Sequence, residues 1–411
     1  MKKDSKVGII GLGYVGLPLA LTAAENGWKV IGYDKNRDLI EDLNNNKSHI
    51  DDVPGHRIQD SLESRLFSPT SNLDELQDVD ICIICVPTPT TQDHEPDLSY
   101  VISACTSIAR KLDANCVVVN ESTSFPGTLK EKVQRVIAEV RGELGDVAGY
   151  VAAPERVDPK NPNFNHSNTP RVLGGDDPAQ VKRVESFYRS IGPDVLVVSS
   201  AEAAEFSKLV ENAFRLVNIS FVNELAPYAS ALGVDLLEVI NAAATKPFGY
   251  MKFTPSPGVG GHCIPVDPHY LLNSAGNLGV ELPVLRSAIE VNFDVPVKIV
   301  HAVTKLLKNQ SDPKVLLIGV AYKDGISDTR ESPASPIAEL LKLEGYKVYW
   351  TDSQVEFWEN APKYIDEDIQ LGIALTSSNL KQVEGLSSKM KILDCTGKHN
   401  GIQNVVSYFN S

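Results

Sequence analysis

The stretch KVGIIGLGYVGLPLALTAAENG, residues 6 to 27, constrains the fold more than any other part of the chain. An apolar run of strand length meets Gly11, Gly13 and Gly16, and helical spacing follows from Tyr14 to Asn26 until Gly27 stops it. Strand, tight turn and helix in that order open a βαβ unit, which needs a parallel neighbour strand and a sheet covered on both faces. The glycines at turn spacing and the charged segment that follows argue against a signal peptide, despite the two lysines near the start.

The same grammar repeats. KVIGYD ends at Asp34, and VDICIICVPTP, NCVVVNEST, GYVAAPE, RVLGG and DVLVVSS follow as further strands. Helix-compatible segments lie between them, most clearly from Ser99 to Lys111 and from Thr128 to Val140. Residues 1 to 199 are therefore expected to form one α/β domain around a mostly parallel sheet. From Ala201 the chain turns helical: no glycine interrupts AEAAEFSKLVENAFRLVNISFVNELAPYASAL, although Pro227 is expected to kink or break the helix. Asp235 can cap a second helix, LLEVINAAAT, and a third helical run spans Leu282 to Leu307, so residues 200 to 300 form a helical middle. PKVLLIGVAYK restores the strand pattern, with a helix from Pro336 to Leu343 and the strands YKVYWTD and MKILDCTG, giving a smaller α/β domain over residues 301 to 411. The expected fold is α/β: two Rossmann-like parallel-sheet domains joined by a long central helix and a helical region, with two nucleotide-sized sites.

Composition excludes several partners. A formal net charge of −14 disfavours nucleic acid and anionic lipid at long range, so any phosphate ligand needs a local site. No run of apolar residues is long enough to span a membrane. Six cysteines in 411 residues, without framework spacing, suit a reducing cytoplasm.

The glycine pattern lets the backbone approach a pyrophosphate at the helix N-terminus, and Asp34, at the end of the next strand, can accept from a ribose 2′-hydroxyl. Lys35 and Arg37 leave room for a 2′-phosphate, but Asp34 would repel one, so NAD is favoured over NADP. Cys82 and Cys85 lie within an apolar strand where residues three apart face opposite ways; they read as core, as do Cys105 and Cys116. Of Cys263 and Cys395, only Cys263 has polar company, and GVGGHCIPVDPHYL leaves it open as nucleophile, metal ligand or ordinary small residue. Lys208, Asn212 and Arg215 fall on one helical stripe, as a site wall or as a solvated face. Glu121, Ser122, Thr123, Glu155 and Asp158 follow strand ends, where open α/β sheets bind ligands and where helix caps also lie.

Taken in order, GLGYVGLPLA, CVPTP, EST, PER, KLVENAFRLVNISFVNELA, GVGGHCIPVDP and GVAYKDGISDTRESP resemble the UDP-glucose/GDP-mannose dehydrogenase family over nearly the whole chain. The resemblance implies an N-terminal NAD domain, a C-terminal UDP-sugar domain, and a homodimer formed through the helical middle. It also implies oxidation of a sugar C6 alcohol to a carboxylate with two NAD, one cysteine and one water. By motif, Cys263 is the nucleophile, with Asp267 as its partner; Lys208 and Asn212 are active-site groups; Glu155 is tied to thioester hydrolysis, and Thr123 lies near the nicotinamide. The cofactor contacts implied are Gly11, Gly13, Tyr14, Val15, Gly16 and Asp34 in the first motif, then Pro87, Thr88, Ser122, Thr123 and Arg330. Those implied for the sugar nucleotide are Glu155, Arg156, Lys208, Asn212 and Arg215, then Tyr250, Gly260 and Lys323, with no metal.

His262 and Val266, where many UDP-glucose-oxidising relatives have serine and lysine, place the resemblance in the N-acetylhexosamine branch, with UDP-N-acetylglucosamine the expected substrate and its manno and galacto isomers the rivals. The C-terminal domain reads as abbreviated after IALTSSNLKQVEGLSSK. In a different class of function, His262, Cys263, Asp267 and His269 would hold zinc in a structural protein.

Overall fold

A computed structural model describes residues 5–50, 53–91, 93–158, 161, 163–261, 263–308, 310–399 and 401–410. The chain divides into two compact units, Met1–Glu211 with His269–Leu278, and Asn212–Pro268 with Gly279–Ser411.

The first unit contains β1 (Lys6–Ile10), α1 (Gly16–Glu25), β2 (Lys29–Tyr33), α2 (Arg37–Asn44), α3 (Gly55–Glu63), β3 (Phe67–Thr70), β4 (Ile81–Ile84), α4 (Ser99–Ile108) and β5 (Val117–Asn120). A π-helical turn, Leu129–Gln134, runs into α5 (Arg135–Arg141), followed by β6 (Gly149–Ala152), β7 (Arg171–Leu173), α6 (Pro178–Ser190) and β8 (Val195–Val197). Six strands form one parallel sheet in the order β3-β2-β1-β4-β5-β6. Its central strands are continuous apolar runs because both faces are covered; every residue of β4 and β5 is buried. The sequence reading has no counterpart of β3, where Pro69 masks the strand signal, and the structure places β3 at the sheet edge, where a missing N–H is tolerated.

β7 and β8 do not continue this sheet as expected. Among the described residues they form a two-stranded sheet of their own, and Gly174, just past β7, makes an antiparallel bridge to Ala152 of β6, Ala152 N–H to Gly174 O at 2.8 Å and back at 3.0 Å. A Cβ on Gly174 would lie 2.0 Å from the Ser200 carbonyl oxygen, so the crossing depends on glycine.

The helix α7 (Ala201–Leu232) is not interrupted at Pro227. Val222, Ala226 and Ala229 flank the proline and pack with Leu236, Ile240 and Phe409, which offsets the ~3 kcal/mol cost of an internal proline. α8 (Leu236–Ala243) follows, capped as expected by the Asp235 carboxylate accepting from Leu237 N–H at 2.9 Å. The loop that carries Cys263 ends in the helix α9 (Asp267–Asn277), which the sequence reading does not include, with Asp267 and Pro268 in the first-turn positions that suit them. α10 (Pro283–Leu306) closes the helical part.

β9 (Lys314–Ile318), α11 (Ala334–Leu343), β10 (Lys347–Thr351), β11 (Leu371–Ala374), α12 (Leu380–Ser387), β12 (Lys391–Asp394) and β13 (Val405–Ser407) complete the second unit. Its five strands are parallel in the order β10-β9-β11-β12-β13, the doubly wound order with a switch point between β9 and β11. The sequence reading of this domain has no counterpart of β11, which contains a glycine, or of β13, a short half-buried edge strand.

Both sheets open with one device. Gly11 N–H donates to Tyr33 O at 2.8 Å and Leu12 N–H to Asp34 Oδ2 at 2.9 Å; Gly319 N–H donates to Thr351 O at 2.8 Å and Val320 N–H to Asp352 Oδ2 at 2.8 Å. The two aspartates differ in what remains to them. Buried Asp352 also accepts from Ala321, Gln354 and Val355 N–H, whereas Asp34, among the described residues, takes Asn36 N–H besides Leu12 and stays half-exposed. A ligand can reach the first carboxylate; the backbone consumes the second.

Candidate functional site

At the carboxyl edge of the first sheet, the turn between β1 and α1 is shaped by absent side chains. Gly11 has φ +92°, and a Cβ there would lie 2.7 Å from Cys85 O; a Cβ on Gly16 would lie 1.9 Å from Gly11 O. At Gly13 nothing comes within 4 Å, so that glycine faces open space. Val15 caps α1 without a side-chain bond and no acidic residue occupies the first turn, so the helix N-terminus offers its N–H groups to an anion. This cradle, with Asp34 beside it, fits a dinucleotide, and the strand order puts it at the switch point between β1 and β4. Tyr14 and Pro87 are exposed, while Val15 and Thr88 are half-buried. Ser122 binds within the protein: its hydroxyl donates to Val86 O at 2.8 Å and accepts from Val86 N–H at 3.0 Å, tying the ends of β4 and β5 together. Thr123, next along, is half-buried.

Beyond β5 and β6 lies a buried charged cluster. Glu155 Oε1 accepts from Arg156 N–H at 2.7 Å and Val157 N–H at 2.8 Å, and Arg156 itself pairs with Glu211 at 2.8 Å. Arg171, fully buried, places Nη1 at 3.4 Å from Glu155 and 3.3 Å from Glu121, and donates from Nη2 to His166 Nδ1 at 2.9 Å. Tyr188 donates to Glu121 and lays its ring 5.2 Å from the guanidinium. Burial pushes Glu121 up to about 7. Burial acts on Glu155 in the same sense, but Arg171, His166, Val157 N–H and Lys208 together outweigh it and hold Glu155 below the ordinary glutamate range. His166 is driven down to about 4 by burial, so it adds to that pull only where it is protonated. Nearby on α7, Lys208 is buried, and Glu205 accepts from Gly127 N–H at 2.7 Å and Leu129 N–H at 2.8 Å, its carboxyl raised by burial to about 7.

The second unit carries the cysteine loop. Of six cysteines five are buried and Cys263 is exposed. Burial raises the thiols of Cys82, Cys85 and Cys395, and those of Cys105 and Cys116 to about 12, which removes them as nucleophiles. The loop is held at both ends: Val259 N–H donates to Asn292 Oδ1 at 2.8 Å, and Cys263 O accepts from Asp267 N–H at 2.9 Å. Gly260 has no room for a side chain, since its Cβ would lie 2.5 Å from Glu331 O. Asp267 and Asn212, both buried, are hydrogen-bonded through Asn212 Nδ2.

The helical stripe is split: Lys208 and Asn212 are buried and Arg215 is exposed. Tyr250 is exposed, Lys323 is half-buried, and exposed Arg330 pairs with Asp328 at 2.6 Å. For the zinc alternative, His262 lies outside the described residues, and His269 stacks on His94 with ring centroids 4.7 Å apart. Among the described residues no three His, Cys, Asp or Glu groups are placed to hold a metal. Sequence reasoning misses Arg171, His166, Tyr188 and Asn292. A readable signal exists only for Arg171, a charged residue opening a strand whose other positions are apolar.

The chain matches the UDP-glucose/GDP-mannose dehydrogenase family over three regions: the NAD binding domain at residues 5–192, the central domain at 202–294 and the UDP binding domain at 316–394. It is 35% identical over 399 residues to a UDP-N-acetyl-D-mannosamine dehydrogenase of Pyrococcus horikoshii, covering 94% of each chain. To a UDP-N-acetyl-D-glucosamine 6-dehydrogenase of Pseudomonas aeruginosa it is 34% identical over 349 residues, covering 82% of this chain and 80% of that one. The solved UDP-D-ManNAc dehydrogenase of Pyrococcus horikoshii superposes with a TM-score of 0.87 at 29% identity, over 98% of this chain and 99% of that chain. No helix among the described residues is long and apolar enough to cross a membrane. The chain belongs to the UDP-glucose/GDP-mannose dehydrogenase family and is an NAD-dependent UDP-sugar dehydrogenase.

Proposed function

We propose that the protein oxidises the C6 hydroxyl of a UDP-N-acetylhexosamine to the uronic acid in two hydride transfers, with Cys263 holding the intermediate between them. The observation that carries this reading is the contrast among the cysteines: one exposed thiol on a loop anchored at both ends, and five thiols withdrawn into cores. NAD, when bound, accepts a hydride in each oxidation.

Hydride leaves C6 only as the hydroxyl proton leaves, and Lys208, Asn212 and Thr123 stabilise the developing oxyanion. The Cys263 thiolate adds to the aldehyde, and the thiohemiacetal so formed loses the second hydride to become a thioester. Glu155, held ionised, takes the proton of the water that cleaves it. Asp267, bonded to Asn212 and to the Cys263 carbonyl, fixes the nucleophile's loop.

On the sugar, the relative aligned over 94% of both chains is named for the manno epimer, and we place UDP-N-acetylmannosamine first. The gluco epimer, expected from the sequence, takes second place on the strength of the Pseudomonas aeruginosa relative. Side-by-side kcat/KM values for the manno, gluco and galacto N-acetylated UDP-sugars and UDP-glucose test this. A UDP-glucose value equal to the best of the others would remove the N-acetylhexosamine assignment. The proposal includes a homodimer through the helical region, supported by exposed Phe206, Val210, Phe214, Phe221, Tyr228 and Leu232 along α7; sedimentation as a monomer would contradict it. It also includes a cytoplasmic setting, on cysteine usage alone.

A further inference from the structure

The buried cluster around Glu155 contains more than a base needs. A lone ionised glutamate with two backbone donors would be a complete proton acceptor, yet a fully buried arginine sits behind it, shared with a second glutamate, a histidine and a tyrosine ring. Burying such a set costs more than its mutual attraction returns unless each partner is matched, so its retention calls for a reason other than stability. Arg171 Nε and Nη1 complete no hydrogen bond. The guanidinium therefore acts through its span rather than a locked two-point fork: Nη1 lies within 3.4 Å of both carboxylates while Nη2 holds His166, a reach that a single ammonium does not match.

We propose that Arg171 is the positioning residue of the hydrolytic half-reaction: shared between Glu121 and Glu155, it keeps the Glu155 carboxylate charged and oriented to receive the proton of the water that cleaves the Cys263 thioester. The inference rests on the reading of Glu155 as that base. In the step, the water oxygen bonds to the thioester carbonyl carbon while its proton passes to Glu155. The carbon–sulfur bond then breaks, releasing the Cys263 thiolate and the uronic acid, and nothing is oxidised or reduced.

The charges facing Glu155 favour this division of labour. Arg171 comes from β7, His166 from the loop before it, Lys208 from α7, Glu121 from the end of β5 and Cys85 from the end of β4, while Tyr188, on α6, faces Glu121 and Arg171. Only one of the two glutamates needs to be ionised for the single guanidinium to be matched. Glu121, which accepts from the Tyr188 hydroxyl and lies 3.9 Å from the Cys85 sulfur, is the one that burial drives towards neutrality. Glu155, with its two backbone donors, keeps the charge.

The test follows the acyl adduct on Cys263 by rapid quenching and intact-protein mass, from pH 5 to pH 9, in wild type and Arg171→Lys with saturating NAD and UDP-sugar. Lysine keeps the charge but spans fewer partners. The variant is expected to hydrolyse the adduct slowly at low pH, roughly tenfold for each unit by which Glu155 rises above the assay pH, and to recover as pH increases. The first hydride transfer should change far less. A loss equal at every pH, or one confined to the first hydride transfer, would overturn the proposal.

Should the lysine variant not fold, carbon-13 titration of labelled glutamates in the wild-type protein, with Glu155 assigned through Glu155→Gln, replaces it. Titration of Glu155 at or above the ordinary glutamate range would overturn the proposal, and titration below that range supports it. Glu155→Gln also separates the two ideas. If that variant cleared its adduct at the wild-type rate, the base assignment itself would fail. If it stalled while Arg171→Lys showed no pH-dependent change, only the role of Arg171 would fail.

Discussion

Gly13 and Gly16, in the same turn, should respond oppositely to one added methyl. In Gly16→Ala the new Cβ would sit 1.9 Å from Gly11 O, where ordinary contact begins near 3.4 Å, and 3.3 Å from Cys85 Cβ. The obstacle is backbone, so a rotamer change cannot relieve it; the turn must open, at ~3 kcal/mol, the upper end of the usual overpacking cost. For a unit of this size that corresponds to a melting temperature lower by ~6–12 °C. Gly13→Ala meets nothing within 4 Å and should change stability by no more than ~0.5 kcal/mol. Its methyl instead occupies the space through which a pyrophosphate approaches the backbone, so NAD should bind at least ~10-fold more weakly, a loss of ~1.4 kcal/mol. Thermal melts without nucleotide and calorimetric titration with NAD read the two effects separately. Wild-type NAD affinity in Gly13→Ala would refute the cradle, and an unchanged melt in Gly16→Ala would refute the steric argument.

Glu205→Gln tests a pH linkage. Native Glu205 keeps its proton to about pH 7 while the unfolded chain loses it near the ordinary glutamate value of 4.5, so this group's contribution falls as pH rises across that window. The variant should therefore gain on wild type by roughly 3 kcal/mol between pH 5 and pH 8, and parallel stability curves would contradict this. His166 acts with the opposite sign between about pH 4 and the ordinary histidine value of 6.5, but it is common to both proteins and cancels in the difference. Lys208→Ala should lower kcat by ~10²–10³ with little change in KM, since an amine at a developing oxyanion acts in the transition state; a rise in KM alone would make it a substrate anchor. Cys263→Ala should lose acid formation by ~10³ or more, and wild-type-like acid formation would end the covalent reading.

The glycine turn, Asp34 and the long helix were legible because each rests on local chemistry: a spacing, a strand end, an unbroken apolar period. β3 was hidden by Pro69, which only an edge position tolerates, and β13 by its shortness at the edge of the other sheet. The two-stranded β7–β8 sheet could not be foreseen, because which sheet a strand joins is decided by distant contacts such as the Ala152–Gly174 bridge. The interruption expected at Pro227 is absent for the same reason: packing at Val222, Ala226 and Ala229 prevails over a local preference. Strand ends pointed to Glu121 and Glu155, but nothing in the sequence joins them to Arg171. It follows them by 50 and 16 residues (171 − 121 and 171 − 155) and becomes their partner only through the fold.

The central claim is a single covalent intermediate spanning two oxidations. Its most direct test is the count of NADH formed per UDP-N-acetylhexosamine consumed, with an aldehyde trap present throughout. Two NADH per sugar and no trapped aldehyde are expected, because Cys263 holds the carbon between the hydride transfers. One NADH per sugar, with the aldehyde recovered in the trap, would contradict the account.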